Sequence, residues 1–328
     1  MKKAQYTERG PVPQASIECV DFPDPVLAEG QVLLQVLAAP INPSDVLTLT
    51  GEYGSLPPLP AIGGNEGVGK VVAHGPGVSA PAVGQTVLLP VGAGTWATHV
   101  VAKAGRLMPL PNDADPLQLS MMTVNPPTAS LMLSEFVELQ PGEWVMQNAA
   151  NSGVGEYLVQ LARLRGLKTV NVVRRESAAA AVRTAGGDVV LLDGPDLEQR
   201  VAEATGQAKI RLGIDAIGGQ ATNRLAACLG EGGTLVNYGL MSGEDCVVSA
   251  RSFVFRDLTL RGFWLALWFR RATPQRQMAM FGEIGKLVAS GRLKTRIQAS
   301  YDLPQIKDAV AAAAAGERDG KILVVPQG

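Results

Sequence analysis

The chain has 328 residues, of which 46% are apolar and 18% are charged, and its formal net charge at pH 7 is −1. This length has room for two domains, and the composition is ordinary for an α/β protein. The near-neutral charge lacks the basic surface that long contacts with nucleic acid require, and the longest apolar runs are far shorter than the ~18 residues of a membrane span. We therefore expect neither a nucleic-acid partner nor a membrane location.

The N-terminus and the cysteines carry information about compartment and metal content. Residues 1–6 contain two lysines but no apolar signal core, which predicts a cytoplasmic protein. The three cysteines, Cys19, Cys228 and Cys246, never form a CxxC pair, and the two histidines stand in no ligand-spaced cluster. These spacings predict reduced thiols and no bound metal.

The first third of the chain alternates short β-rich runs with Gly and Pro, which is typical of a small irregular barrel. The predicted strands are 31–38, 68–72, 85–90 and 97–102. Asn42 and Pro43 form a good helix start, as cap and first helical residue, and Gly51 ends that short helix. The Gly/Pro-rich loop 51–69 is too long for a simple hairpin, and loops of this kind often carry function.

Residues 143–176 predict a strand, a glycine loop, a helix and a second strand. The small residues of the loop are Ala149, Ser152, Gly153 and Gly155. They allow the backbone to turn tightly and approach a pyrophosphate, which the amides of the helix start would hold. The match to the glycine consensus is partial, because Ala149 and Ser152 stand at glycine positions. Apolar residues at helical spacing after the loop predict an amphipathic helix packed on a sheet.

Two adjacent arginines, Arg174 and Arg175, follow the second strand of this segment. In an NAD-specific protein of this design, an acidic residue about 20 residues past the glycines binds the ribose 2'-hydroxyl. An arginine at that place pairs with a 2'-phosphate instead, so the spacing favours NADPH. The alternative is that both arginines form only a solvated strand end.

Beyond residue 176, strands alternate with Ala-rich helices, as in a doubly wound parallel sheet. The predicted strands are 210–217, 233–238 and 258–265. A helix with one apolar face begins at Thr273 and Pro274. Two last β runs, 296–301 and 321–325, resemble the N-terminal region and should return to it. The predicted domains are 1–123 with 297–328, and 124–296.

Seven ordered motifs cover nearly the whole chain. They are NPSDVLTLTGEYG at 42–54, GGNEGVG at 63–69, NPPTA at 125–129, QNAANSGVG at 147–155, VNVVRRE at 170–176, YGLM at 238–241 and RGFWL at 261–265. Together they resemble the medium-chain dehydrogenase/reductase superfamily, and within it the zinc-free trans-2-enoyl thioester reductases that act on enoyl-CoA or enoyl-acyl carrier protein. The resemblance implies an α/β fold in which a Rossmann doubly wound parallel sheet is inserted into a GroES-like β-barrel catalytic domain.

Zinc-dependent members of this superfamily carry a cysteine before the first helix and a histidine in a GHE motif. The matching regions here read INPSD at 41–45 and GNE at 64–66, so the resemblance implies a zinc-independent enzyme. The quinone or enone reductases of the superfamily are the nearest alternative, and both groups place a tyrosine after the first helix. The pair Asn65 and Glu66, the NSGVG loop and the FWL run favour the enoyl thioester group.

The implied reaction is transfer of hydride from NADPH to C3 of an α,β-unsaturated thioester and of a proton to C2. Tyr53 is the implied catalytic residue, because its phenol donates a hydrogen bond or a proton without carrying charge at neutral pH; the alternative is an aromatic side chain that packs a loop. The implied cofactor-binding residues are Asn42, Asn125, Thr128, Asn151, Ser152, Gly153, Val154, Gly155, Arg174, Arg175, Tyr238, Gly239, Leu240, Met241, Phe263, Trp264, Leu265 and Lys321. Leu240 is a departure, since the family more often has glycine there.

Partners are also implied by the resemblance. In the superfamily the strand at 258–265 pairs edge to edge across a two-fold axis, which predicts a homodimer. Arg270 and Arg271 either meet the phosphates of coenzyme A or an acidic carrier protein, or are a solvated pair. A third hypothesis is that the chain is a non-catalytic NADPH-binding protein that acts through partners.

Overall fold

The computed structural model describes residues 1–327. Its strands are β1 (Lys2–Tyr6), β2 (Ile17–Asp21), β3 (Gln31–Ile41), β4 (Ala61–Ile62), β5 (Val68–His74), β6 (Thr86–Leu88), β7 (His99–Lys103), β8 (Met108–Pro109), β9 (Trp144–Gln147), β10 (Lys168–Val173), β11 (Val189–Leu192), β12 (Leu212–Asp215), β13 (Thr234–Asn237), β14 (Thr259–Gly262), β15 (Ile297–Tyr301) and β16 (Lys321–Val324). Its α-helices are α1 (Pro43–Thr50), α2 (Pro116–Leu119), α3 (Asn125–Met132), α4 (Gly153–Leu164), α5 (Ala179–Ala185), α6 (Leu197–Thr205), α7 (Gly219–Cys228), α8 (Ala250–Arg256), α9 (Leu265–Arg271), α10 (Pro274–Ala289) and α11 (Ile306–Ala314). Short 3-10 helices lie at Pro13–Ala15, Ala104–Arg106, Glu176–Ala178 and Leu303–Gln305.

The chain divides into two compact units. Unit 1 consists of Met1–Val124 and Phe281–Gly328, and unit 2 consists of Asn125–Met280. Among the described residues, no helix is both long and apolar enough to cross a membrane.

Unit 1 is built on a sheet whose strand order is β15-β16-β3-β5-β6-β8, with β7 also paired to β3. A second sheet has the order β2-β1-β4. β3 pairs antiparallel with β5, β7 and β16, and its alternate residues Val32, Leu34 and Val36 are buried. The alternation explains the strand, since period-2 spacing puts every second side chain into the core. The two last β runs therefore return to the sheet of the N-terminal region, as the sequence predicts.

The core of unit 1 joins residues that are distant in the chain. Trp96 is fully buried and packs in one cluster with Leu34 of β3, Val310 of α11 and Ile322 of β16. The core of unit 1 is therefore complete only when residues from the N-terminal and the C-terminal segments of the unit pack together. The predicted strand 31–38 is three residues too short for this reason: residues 39–41 pair with β16, a contact invisible to local patterns.

Unit 2 is built on a parallel sheet with the order β11-β10-β9-β12-β13-β14. The chain moves outward in one direction from β9 to β10 and β11, and then in the other direction from β12 to β14. That reversal lies between β9 and β12, and in open sheets of this type ligands bind at the carboxyl ends of the strands beside it. The doubly wound sheet is the predicted one. Its core contains Met146, Val170 and Leu235 from three of the strands.

One strand prediction in unit 2 is partly wrong. The predicted strand 258–265 contains β14, but pairing with β13 ends where Gly262 lies opposite Asn237. The carbonyl of Trp264 then accepts hydrogen bonds from the amides of Leu267 and Trp268, at 3.0 and 3.1 Å, and α9 begins at Leu265. An uninterrupted apolar run has no period that separates strand from helix, so the sequence pattern could not place this boundary.

Candidate functional site

The loop after β9 has the geometry of a phosphate cradle. Ser152 caps α4, and its Oγ accepts a hydrogen bond from the amide of Gly155 at 3.1 Å. Ala149 has a φ of 47°, a left-handed conformation that favours glycine and that alanine adopts at a cost of about 1 kcal/mol. A Cβ added at Gly155 would lie 2.5 Å from the carbonyl oxygen of Ala150. Only glycine fits at position 155, and α4 starts just after the carboxyl end of β9.

The arginine pair directly follows β10, the neighbour of β9 in the sheet. Arg174 is exposed and Arg175 is half-buried. The carboxylate of the next residue, Glu176, lies 3.6 Å from the guanidinium of Arg183. The acid beside the pair therefore has its own basic neighbour on the surface.

The chain after β13 approaches the same edge. A hydrogen bond joins the side chains of Tyr238 and Ser152, and burial raises the pKa of the Tyr238 phenol above its ordinary value. A Cβ at Gly239 would lie 2.7 Å from the carbonyl oxygen of Ala216, so glycine is required there. Leu240 and Met241 are exposed, with 60% and 64% of their surfaces accessible. Tyr238 thus links the end of β13 to the cap of α4.

The residues after β14 pack within unit 2. The rings of Phe263 and Phe136 meet edge to face with their centroids 6.0 Å apart. Trp264 caps α9, and the guanidinium of Arg270 lies over its ring at 4.9 Å from the centroid. Leu265 is half-buried in the first turn of α9. Arg270 is therefore already engaged with an aromatic ring in unit 2.

Asn125 and Thr128 lie on α3, all of whose residues are buried. Arg165, next to the end of α4, donates hydrogen bonds to the carbonyl oxygen and the Oγ of Ser130 at 3.1 and 2.6 Å. This contact fixes α3 against the helix that starts at the glycine loop. The helical state of NPPTA was not predicted.

A buried carboxylate that the sequence analysis missed organises this sheet edge. Asp215 ends β12, and its Oδ1 accepts hydrogen bonds from Asn148 Nδ2 at 2.6 Å and from the amide of Ile217 at 2.9 Å. Its Oδ2 accepts from Thr222 Oγ1 at 2.6 Å and Asn237 Nδ2 at 2.9 Å. Asp215 therefore ties together the ends of β9, β12 and β13. The available signal was an aspartate that closes an apolar strand directly before Ala-Ile-Gly-Gly.

Unit 1 contains a group of polar side chains that we call the polar cluster: Asn42, Asp45, Glu66 and Lys321, which are buried, and Asn65, which is half-buried. The Lys321 ammonium donates hydrogen bonds to Asn42 Oδ1 and, at 3.4 Å, to the carbonyl oxygen of Ile41. Asn42 Nδ2 donates to Glu66 Oε1 at 2.7 Å. Two of the predicted cofactor residues, Asn42 and Lys321, thus lie together in unit 1.

The carboxylates of the polar cluster also bind the backbone. Glu66 Oε2 accepts hydrogen bonds from the amides of Thr123 and Val124 at 3.0 and 2.9 Å. Asp45 accepts from the amide of Asn42 at 2.7 Å and from Asn65 Nδ2 at 2.7 Å. Asp45 was missed at the sequence level, and its signal was the third position of a helix capped by asparagine.

Burial shifts the pKa values of the three ionisable groups in the polar cluster. Burial raises the pKa of Asp45 to about 6 and that of Glu66 to about 7, while burial lowers the pKa of Lys321 to about 8. In each case the opposite charge nearby works against the desolvation. The cluster therefore holds two carboxylates and one ammonium that are costly to ionise and that depend on one another.

Tyr53 lies just beyond α1 and is half-buried in an otherwise exposed segment. Gly51 ends α1 with a φ of 88°, as predicted, and the amides of Gly51, Glu52 and Tyr53 all donate to the carbonyl oxygen of Leu47 at 2.9 to 3.1 Å. The backbone of Tyr53 is thus held against the last turn of α1. Within residues 1–327, no group of three or more His, Cys, Asp or Glu side chains is arranged to hold a metal ion.

Comparison with known proteins identifies the family. Residues 28–112 match the alcohol dehydrogenase GroES-like domain, and residues 153–281 match the zinc-binding dehydrogenase family. The mitochondrial enoyl-[acyl-carrier-protein] reductase of Rattus norvegicus is 38% identical over 290 residues, which are 86% of this chain and 77% of that protein.

Two solved structures cover 99% of this chain and 99% of their own chains. The Etr1p complex with NADP and crotonyl-CoA is 26% identical with a TM-score of 0.87. A protein from Bacillus thuringiensis assigned as an NADPH:quinone reductase is 29% identical with a TM-score of 0.89. The predicted fold, a GroES-like domain with a Rossmann sheet, is confirmed. The chain therefore belongs to the medium-chain dehydrogenase/reductase superfamily, in the family of the enoyl-[acyl-carrier-protein] reductases.

Proposed function

We propose that this chain catalyses the NADPH-dependent reduction of the C2–C3 double bond of an enoyl thioester. The observation that carries the proposal is its membership in a family whose relatives are named enoyl-[acyl-carrier-protein] reductases. The similar Etr1p structure contains NADP and crotonyl-CoA. These two molecules represent the cofactor and the class of substrate that we propose. The substrate is a CoA thioester or an acyl carrier protein thioester.

The residues at the carboxyl edge of the unit 2 sheet fit NADPH. The glycine loop requires glycine at position 155, and its helix start offers backbone amides to a pyrophosphate. Exposed Arg174 follows the next strand, where a guanidinium binds a 2'-phosphate. The remaining proposed contacts on this edge are Asn151, Tyr238, Gly239, Leu240, Met241, Phe263, Trp264 and Leu265, with Asn125 and Thr128 from α3. The proposed cofactor domain is 124–296, and the proposed catalytic domain is 1–123 with 297–328.

The bound cofactor supplies the hydride, and the chain must orient the substrate and deliver a proton. Tyr53 is the proposed catalytic residue. Its phenol donates a hydrogen bond to the thioester oxygen, which gains negative charge as hydride reaches C3, or it passes a proton to C2. A neutral donor suits this role because it adds no charge to the substrate site before the reaction.

The test is an acceptor panel assayed with NADPH and with NADH. It contains crotonyl-CoA, longer enoyl-CoA, enoyl-acyl carrier protein, a quinone and an enone. Turnover of thioesters with NADPH supports the proposal. The Bacillus thuringiensis structure favours quinone reduction as the second candidate, which quinone turnover without thioester turnover would select. Cofactor binding with no acceptor reduced would indicate a non-catalytic NADPH-binding protein.

Substitution of Tyr53 tests its assignment. Tyr53→Phe should lower kcat about 10²-fold or more, the usual contribution of a positioned acid, and leave the Kd of NADPH unchanged. Tyr301→Phe is the matched control, because Tyr301 packs against the core of unit 1 from β15. Equal turnover in Tyr53→Phe and the wild type would remove Tyr53 from the mechanism.

Assembly and location belong to the proposal as well. β14 lies at the edge of the unit 2 sheet, and pairing with a second copy there would form a homodimer. Light scattering of the purified protein would measure its mass. The cytoplasmic location stays a prediction, and the relatives named mitochondrial make cell fractionation the relevant measurement.

A further inference from the structure

In the polar cluster, two groups of opposite charge, Lys321 and Glu66, both form hydrogen bonds to the side chain of Asn42. The Asn42 amide receives a hydrogen bond from Lys321 on its oxygen and donates one to Glu66 from its nitrogen. The backbone amide of Asn42 is held by Asp45. Asn42 is 1% exposed and Glu66 is fully buried, so these contacts form away from water.

Stability alone is a poor explanation for such an arrangement. Burying two carboxylates and an ammonium costs several kcal/mol for each ion, and apolar replacements of buried ion pairs are often neutral or stabilising. What a hydrogen-bonded ion cluster provides is a single orientation for the groups it holds.

Asn42 is the N-terminal cap of α1, and Asp45 is the third residue of the helix. α1 contains only eight residues, and the amide of Tyr53 bonds to Leu47 within it at 3.1 Å. A rotation of the helix start is therefore transmitted through about two turns to the segment that carries Tyr53. Asn65, which stands where zinc-dependent relatives have histidine, belongs to the same network through Asp45.

We propose that Glu66 and Lys321 are positioning residues for Tyr53: by holding Asn42 from both sides they orient α1 and thereby the phenol that follows it. The ammonium of Lys321 offsets part of the negative charge of the two carboxylates. This inference rests on the proposed function, because it assigns the cluster a role in the same reduction.

The main variant is Glu66→Gln, assayed for kcat and KM with NADPH and crotonyl-CoA. We expect kcat to fall about tenfold or more, since small displacements of a reacting group cost that much, while KM for NADPH stays within about twofold. The matched control is Glu18→Gln with Lys307→Met, which removes a surface pair that is 3.8 Å apart in unit 1. The control should leave kcat unchanged.

Two further measurements separate positioning from general damage. In a Tyr53→Phe background, Glu66→Gln should change kcat less than about twofold, because there is no phenol left to misplace. Amide hydrogen exchange of peptide 43–53 should become faster in Glu66→Gln, while exchange in β10 of unit 2 stays at the wild-type rate. If Glu66→Gln folds poorly, Glu66→Gln with Lys321→Met removes both charges together and should show the same faster exchange.

The outcomes distinguish the two proposals. Wild-type turnover in Tyr53→Phe would overturn the assigned role of Tyr53 and this inference with it. A loss in Tyr53→Phe, combined with wild-type kcat in Glu66→Gln, would overturn the inference alone. Equal losses from Glu66→Gln in both backgrounds, or unchanged exchange in peptide 43–53, would also overturn it.

Discussion

Replacement of Gly155 by alanine tests whether the loop after β9 is the cofactor site. The new Cβ would lie 2.5 Å from the carbonyl oxygen of Ala150 and 2.7 Å from its carbonyl carbon, whereas ordinary contacts begin at 3.4 Å. Both atoms belong to the backbone and cannot rotate away. The substitution must therefore move the start of α4 or the turn that contains Ala149, which is already in a left-handed conformation.

The magnitude follows from this clash. Forcing extra volume into a well-packed site costs about 1–3 kcal/mol of folding free energy. The displaced atoms include the amides that we propose bind the pyrophosphate, and hydrogen bonds to a charged group contribute about 1.5–3 kcal/mol each. Loss of about 1.4 kcal/mol of that binding energy weakens the Kd of NADPH about tenfold.

The assay is fluorescence titration of Gly155→Ala with NADPH, beside urea unfolding of the free protein. Gly105→Ala is the control, because Gly105 lies in an exposed 3-10 helix and a Cβ there meets nothing within 4 Å. The control should bind NADPH as the wild type does and lose no stability. A folded Gly155→Ala protein with wild-type Kd would refute the assignment of this loop to the pyrophosphate.

Three other outcomes are expected. Loss of the guanidinium in Arg174→Ala or Arg175→Ala should lower kcat/KM for NADPH about tenfold or more and leave that for NADH unchanged, whereas Arg292→Ala, which removes an exposed charge in unit 1, should alter neither; equal losses with both cofactors would refute 2'-phosphate recognition. In Asp215→Asn, the new side-chain NH2 group would face donors that now bond to the carboxylate. The unfolding free energy, measured in urea, should fall by about 1–3 kcal/mol; wild-type stability would contradict the role of Asp215 in joining three strand ends. Because burial raises the pKa of Glu66 above its ordinary value of 4.5, its ionisation lowers the stability of the folded protein as pH rises towards 7, so the unfolding free energy of the wild type should fall relative to that of Glu66→Gln between pH 4.5 and 7; a difference in unfolding free energy that is independent of pH would show that this carboxylate is not destabilised.

Local pattern was sufficient for most elements and for the unit 2 edge. The cap, proline and glycine that bound α1 act within ten residues, so the helix was predicted correctly. The glycine loop and the arginine pair were also placed correctly at the ends of neighbouring strands, because parallel strands with helical crossovers leave their carboxyl ends on one edge. Where an apolar run lacked a period, the predicted strand 258–265 extended past the observed end of β14 at Gly262.

The sequence by itself determined the doubly wound sheet, the candidate phosphate loop and the family, since these depend on short-range spacing and on motifs. Tertiary structure alone decided which polar residues meet in the core. Lys321 contacts Asn42 across 279 positions of the chain, and Asp215 contacts Asn148 across 67. Local spacing does not predict such contacts, because they join residues that meet only when the strands pair. Burial then makes hydrogen bonding of these groups necessary, since water is excluded.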